Sequence, residues 1–127
     1  MKTGTCFVLL ASLAACGAAL AEGQHLNGDA LKQMVVGKTV VLNTPVGGIP
    51  ISYSGNGTMT GRAKDMQLYT GRERDKGVWW VNADQICQKW DTWLDGRSYC
   101  FKLRVDGRTV HWRRNDGHTG TATIASN

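Results

Sequence analysis

Proline occurs only twice in this chain, at Pro45 and Pro50, and histidine three times, at His25, His111 and His118. After residue 21 no apolar run approaches the ~20 residues that cross a bilayer as a helix, so no transmembrane segment is expected there. None of the histidines has a partner at i, i+4, which excludes the helix of a zinc metalloprotease. There is no GxSxG elbow, P-loop or dinucleotide fingerprint, and neither CxxC nor the CxxCH of covalent haem attachment occurs. Ten acidic residues stand against fifteen Lys and Arg, for a formal net charge of +5. That balance suits anionic surfaces rather than an acidic mimic. No catalytic residue, metal ligand or cofactor is therefore assigned.

What is present begins with a leader. Lys2 opens a short cationic start, Phe7 to Ala15 form an apolar run, Gly17 breaks it, and Ala19-Leu20-Ala21 supply the small residues of a cleavage site before Glu22. Residues 1–21 read as a cleaved signal peptide and 22–127 as one domain, soluble in the periplasm or secreted. Leu13-Ala14-Ala15-Cys16 also has the form of a lipobox. The alternative is an outer-membrane lipoprotein acylated at Cys16. All ten acidic residues and all but one of the Lys and Arg lie beyond residue 21, so the mature chain stays moderately basic.

Cys6 and Cys16 belong to the leader, which leaves Cys87 and Cys100 to pair in an oxidising compartment. Strand periodicity puts Tyr99, Phe101, Leu103 and Val105 on one face, with Cys100, Lys102 and Arg104 on the other. On the preceding strand Ile86, Gln88 and Trp90 alternate against Gln85, Cys87 and Lys89. The disulfide is thus expected as an external staple between two antiparallel strands joined by Asp91–Arg97.

Turn dipeptides recur at Asn56-Gly57, Asp95-Gly96, Asp106-Gly107 and Asp116-Gly117. They punctuate strands expected near Lys38–Asn43, Ile49–Ser54, Thr58–Ala63, Met66–Tyr69, Gly77–Asn82, Gln85–Trp90, Tyr99–Val105, Arg108–Arg114 and Thr119–Ile124. Pro45 and Pro50, with Gly47-Gly48 between them, mark a break between the first two strands rather than a sheet interior. One helix is expected over Gly28–Val36, capped by Asn27 or Asp29, with Leu31, Met34 and Val35 as its apolar stripe. The expected fold is all-β: an antiparallel meander of about eight strands closing into a barrel, which leaves no open edges, with the helix plugging or flanking one end.

The aromatic and basic residues are the candidates for a binding surface. Trp79 and Trp80 are adjacent, so a strand points them to opposite faces. With Trp79 outward and Trp80 in the core, Trp79 stands near Arg72, Arg74 and Lys76, and Trp93 joins it at the end of the disulfide hairpin. Such a patch suits planar or anionic ligands; the plainer alternative is that Trp80, Trp90 and Trp112 simply fill a narrow barrel. His118 beside Asp116, with Asp106, is the one arrangement that resembles an acid–base set. The partner is expected to be an envelope protein or an anionic envelope component, and nucleic acid is not expected, because no recognised binding motif is present.

The order Gly37-Lys38-Thr39-Val40, Gly57-Thr58-Met59-Thr60-Gly61, Gly77-Val78-Trp79-Trp80-Val81, Ile86-Cys87-Gln88-Lys89-Trp90 and Tyr99-Cys100-Phe101 before Asp106-Gly107 resembles a family of small exported proteobacterial β-proteins of unknown function. The resemblance covers about residues 30 to 127 and implies fold and compartment only. In size, export and stapled barrel the chain is also similar to periplasmic lysozyme inhibitors of the membrane-bound C-type group, although it lacks their serine–tyrosine–lysine segment and its positive charge is ill suited to a basic lysozyme. The expected function is an exported, non-catalytic binding or interaction protein of the cell envelope. Its rivals are a lipocalin-like small-molecule carrier, a periplasmic inhibitor of a hydrolase, and a small envelope enzyme. A carrier needs an open cavity, and five tryptophans in so short a chain are expected to fill one.

Overall fold

A computed structural model describes residues 24–45, 47–64 and 72–125. The leader over 1–21, with Cys16 and the Ala19–Ala21 site, and the strand expected at Met66–Tyr69 lie outside the described residues.

The periodicity becomes a closed antiparallel barrel of eight strands: β2 (Thr39–Thr44), β3 (Gly47–Tyr53), β4 (Thr58–Arg62), β5 (Arg74–Asn82), β6 (Gln85–Trp90), β7 (Ser98–Asp106), β8 (Thr109–Arg114) and β9 (Thr119–Ala125). Each strand pairs with its neighbour in sequence, and β9 closes the ring on β2 through Val40 opposite Ile124 and Leu42 opposite Ala122. The two-residue β1 (Gln24–His25) adds to β7, with His25 opposite Arg104, so His25 is tied into the sheet at its start. All four expected turn glycines adopt left-handed backbone, at φ 88° for Gly57, 64° for Gly96, 62° for Gly107 and 95° for Gly117.

The helix α1 (Gly28–Val35) buries Leu31, Met34 and Val35. Asn27 is its N-cap by backbone only: the Asn27 carbonyl accepts from Leu31 N–H at 2.8 Å, and its side chain makes no cap bond. Immediately after the helix, Val36 bridges to Tyr53. The helix thus closes the barrel end that also carries the turns after β3, β5 and β7. The opposite end carries the connections after β2, β4, β6 and β8.

Pro50 departs from its expected place. It lies inside β3 opposite Val41, not in a break. The β3–β4 ladder begins only at Ile51, so at Pro50 the strand has one neighbour and the missing N–H leaves no gap in a second ladder.

The tryptophan facing is the reverse of the expectation. Trp79 is buried and Trp80 is 40% exposed. A two-residue turn, Ala83-Asp84, sets the β5–β6 register so that Trp79 faces Gln88 and Trp80 faces Cys87. Trp79 then packs edge-on against Tyr53, with ring centroids 5.7 Å apart, and donates its indole N–H to the Ser54 carbonyl at 2.9 Å.

Cys87 and Cys100 are register partners and are bonded to each other. Both point to the outer face as expected, yet Cys87 has no exposed surface. It stands in the outer row between Trp80 and Cys100, so the staple is covered rather than bare.

Candidate ligand-binding cavity

Inward-facing residues do not fill the barrel. They line a cavity of about 220 Å³ that reaches from Met34 and Val35 of α1, past Ile51 and Leu103, to Leu94 and Arg114 at the opposite end. Tryptophans line this space instead of occupying it because glycines on other strands give them room. A side chain at Gly61 would collide with the rings of Trp90 and Trp93, and one at Gly120 with the ring of Trp112. Phe101 meets Trp112 in a T-shaped contact with ring centroids 5.6 Å apart. The indole N–H of Trp112 is sealed and without a hydrogen-bond partner, the one such buried polar atom among the described residues.

Midway along the wall, two polar side chains are hydrogen-bonded to each other. Tyr53 on β3 donates its hydroxyl to Gln88 Oε1 on β6 at 3.1 Å. Burial pushes the Tyr53 hydroxyl pKa well above its ordinary value, so the group stays neutral. The amide nitrogen of Gln88 has no partner among the described residues, and it is not among the sealed atoms. It therefore retains contact with open space.

At the end opposite α1 the boundary is built by a carboxylate that holds a turn and by an ion pair. Trp93 lies in a 3₁₀ turn, Trp93–Gly96, whose Leu94 and Asp95 have left-handed backbone. Asp75, inward on β5, accepts the backbone N–H of Thr92 and of Trp93 through Oδ2, each at 2.8 Å. Burial raises its pKa, but the N–H groups of Trp93, Thr92 and Lys76 outweigh that and hold the carboxyl below its ordinary value. The Trp93 ring lies 4.7 Å from Trp90 and its indole donates to the Arg72 carbonyl at 3.2 Å. Trp93 is thus a buried wall residue and not part of an exposed patch. Nothing in the sequence singled out Asp75; its signal is the inward parity it shares with Gly77 and Trp79.

Arg114 extends the inward row of Trp112. Its guanidinium sits 4.2 Å over the Tyr99 ring and is matched by Asp116, with Nε donating to Oδ1 at 2.8 Å and Nη2 to Oδ2 at 2.6 Å. The Arg114 hydrogen bond holds the Asp116 carboxyl far below the usual range. His118 Nδ1 lies 3.1 Å from Asp116 Oδ1. Asp106 ends β7 opposite Thr109, at the other end of β8, so the three groups considered as an acid–base set do not converge. His111, opposite Arg104 and Thr121, faces outward. Neither a histidine nor a carboxylate is among the described residues lining the cavity.

The remaining sequence candidates gather outside the barrel. Arg72, Arg74 and Lys76 border a shallow outer groove with Arg62, Ser52 and Thr60. Arg74 is opposite Arg62 and Lys76 opposite Thr60 across the β4–β5 ladder, and Arg62 meets Glu73 at 3.5 Å. Trp79 is absent from this surface. The exposed aromatic on the same face of β5 is Trp80, two steps beyond Val78 and four beyond Lys76. No helix among the described residues is long and apolar enough to cross a membrane, and they contain no cluster of three or more metal-ligating side chains.

The chain matches no protein-family model, no curated protein and no solved structure at a significant level.

Proposed function

We propose that this protein is an exported, non-catalytic binding protein of the bacterial cell envelope that holds a small, mainly apolar ligand inside its barrel. The observation that carries this reading is the cavity of about 220 Å³. Protein interiors are close-packed, and an empty space forfeits the dispersion contacts its wall would otherwise make. A dry engineered cavity of ~150 Å³ already binds benzene. A ligand of one or two rings would restore contacts that the side chains leave unmade. Export is supported by the leader sequence and by a disulfide, which suits an oxidising compartment.

Calorimetric titration of the mature protein with indane tests the reading. Saturable binding is expected, and Ala122→Leu, which places bulk on a buried wall position, should abolish it while leaving the melting temperature equal or higher. No saturable binding, or equal binding by the filled variant, would contradict it. Mass spectrometry of the native N-terminus tests the compartment: Glu22 supports a soluble product, acylated Cys16 a lipoprotein, and intact Met1 neither.

A second reading rests on the outer face of β5, where exposed Arg74 and Lys76 share a row with Val78 and Trp80. Cations beside apolar side chains suit an anionic envelope component. This contact is compatible with a ligand held within the barrel.

A further inference from the structure

The chemistry of the cavity wall narrows the ligand beyond its size, provided that the carrier reading holds. Charge is settled by the rim. Arg114 is the one ionisable side chain of full charge at neutral pH on the wall among the described residues, and its guanidinium is already paired in two-point fashion with Asp116. An anionic ligand would meet a guanidinium whose charge Asp116 already offsets, and a cationic one would find no acid among the described wall residues; either burial is costly. The interior therefore selects against charge of both signs.

Hydrogen bonding is settled by the Tyr53–Gln88 pair. The Tyr53 hydroxyl has its acceptor in Gln88 Oε1 at 3.1 Å, and the same contact holds the amide in place. The two N–H bonds of Gln88 Nε2 are donors with no acceptor among the described residues. Gln88 is 8% exposed, so bulk water does not serve them freely. A ligand offering an acceptor there satisfies a donor that is otherwise unserved. A ligand without one leaves the donor as it was.

We infer that the cavity is built for a compact, uncharged molecule with an apolar body of one or two rings and a hydrogen-bond acceptor such as a carbonyl, the acceptor being met by Gln88 Nε2 with Tyr53 as the residue that positions the amide.

The test compares three probes of nearly the same shape, indane, 1-indanone and indane-2-carboxylate, on the mature protein and on Gln88→Leu. Hydrocarbon and ketone differ in their transfer from water, so the reading is the ratio of their dissociation constants and its change with the variant, which cancels that difference. The indanone-to-indane ratio should rise about tenfold in Gln88→Leu, the ketone weakening and the hydrocarbon not. In the wild-type protein the side-chain amide NMR signals of Gln88 should shift with 1-indanone and stay in place with indane, a measurement that stands even if the variant folds poorly. The carboxylate should bind more weakly than the ketone. If indane and the ketone bind with an unchanged ratio and the Gln88 amide does not respond, the acceptor inference is overturned while the carrier reading survives. If the carboxylate binds best, the claim of an uncharged ligand is overturned. If no probe binds to the wild type, the carrier reading falls and takes this inference with it.

Discussion

Trp79 stands opposite Gln88 across the β5–β6 ladder, and both side chains enter the barrel. That relationship decides which of two adjacent tryptophans holds the fold. Trp79→Ala removes a buried ring, its edge contact with Tyr53 and its hydrogen bond to Ser54, and should cost ~3–5 kcal/mol. Trp80→Ala, at a half-exposed outer position, should cost about 1 kcal/mol or less. Urea denaturation followed by circular dichroism measures both. A silent Trp79→Ala beside an unfolding Trp80→Ala would mean that the register is wrong by one residue.

Asp75 couples the position of Trp93 to pH. Its folded pKa lies below the ordinary 3.8 because backbone N–H groups outweigh the effect of burial. A depressed carboxylate pKa contributes stability that is present above the unfolded pKa and lost as pH falls through the folded one. Wild-type protein should therefore lose stability below about pH 4, and Asp75→Asn should lose less over the same range while starting from a lower value at pH 7. Asp75→Ala, which leaves the N–H groups of Thr92 and Trp93 without their acceptor, should cost ~1–3 kcal/mol. Melting temperatures from pH 7 to pH 2 for the three proteins check the sign. Parallel curves for wild type and Asp75→Asn would remove Asp75 from the account of acid stability.

The disulfide joins cysteines at a sequence separation of 13, and the chain-entropy model gives roughly 3 kcal/mol for a loop of about that size. Replacing both Cys87 and Cys100 by Ala should lower stability by about 2–4 kcal/mol and keep the far-ultraviolet spectrum, because the β6–β7 ladder extends to either side of the bond. Since the two sulfurs are bonded to each other, thiol labelling without reductant should detect no free thiol even after denaturation, and since Cys87 has no exposed surface, reductant should act slowly until the barrel opens. Rapid labelling at either position in the unreduced protein contradicts the pairing.

Much of the barrel was legible because its signals are local. Positive-φ turns were marked by Gly57, Gly96, Gly107 and Gly117, and period-2 alternation placed Leu103 and Ile86 inside. The facing of Trp79 was legible too, but only by combining two features. Once Ile86, Gln88 and Trp90 are inward, a two-residue turn at Ala83-Asp84 forces Trp79 inward with them. Ala83 does not advertise a tight turn, although it adopts φ 54°, and Val78-Trp79-Trp80-Val81 offers an apolar residue to either face. The cavity was not legible, because it depends on which large side chain lies across which small one. Trp112 over Gly120 and Trp93 with Trp90 over Gly61 are pairings between residues whose relative height is set by strand register around the ring. Counting five tryptophans suggested a filled barrel; laid flat against glycines, those facing inward make walls.

The outer face of β5 yields a prediction independent of the interior. Arg74, Lys76, Val78 and Trp80 alternate outward along one strand, and Lys89 stands beside Val78 on β6. Three cations around two exposed apolar side chains should attract an anionic surface, with an attraction that weakens as salt shortens the Debye length from ~30 Å at 0.01 M to ~8 Å at 0.15 M. Vesicles of phosphatidylglycerol should therefore retain the mature protein in co-sedimentation at low salt and release it at high salt, and neutral phosphatidylcholine vesicles should not retain it. Arg74→Glu with Lys76→Glu should abolish retention at all salt concentrations, and Trp80→Ala should weaken it with the salt dependence preserved, since that change removes apolar contact and no charge. Neither variant touches the cavity wall, so 1-indanone binding should be unchanged in both. Equal retention of wild type and the doubly reversed variant would show that this face is ordinary solvated surface.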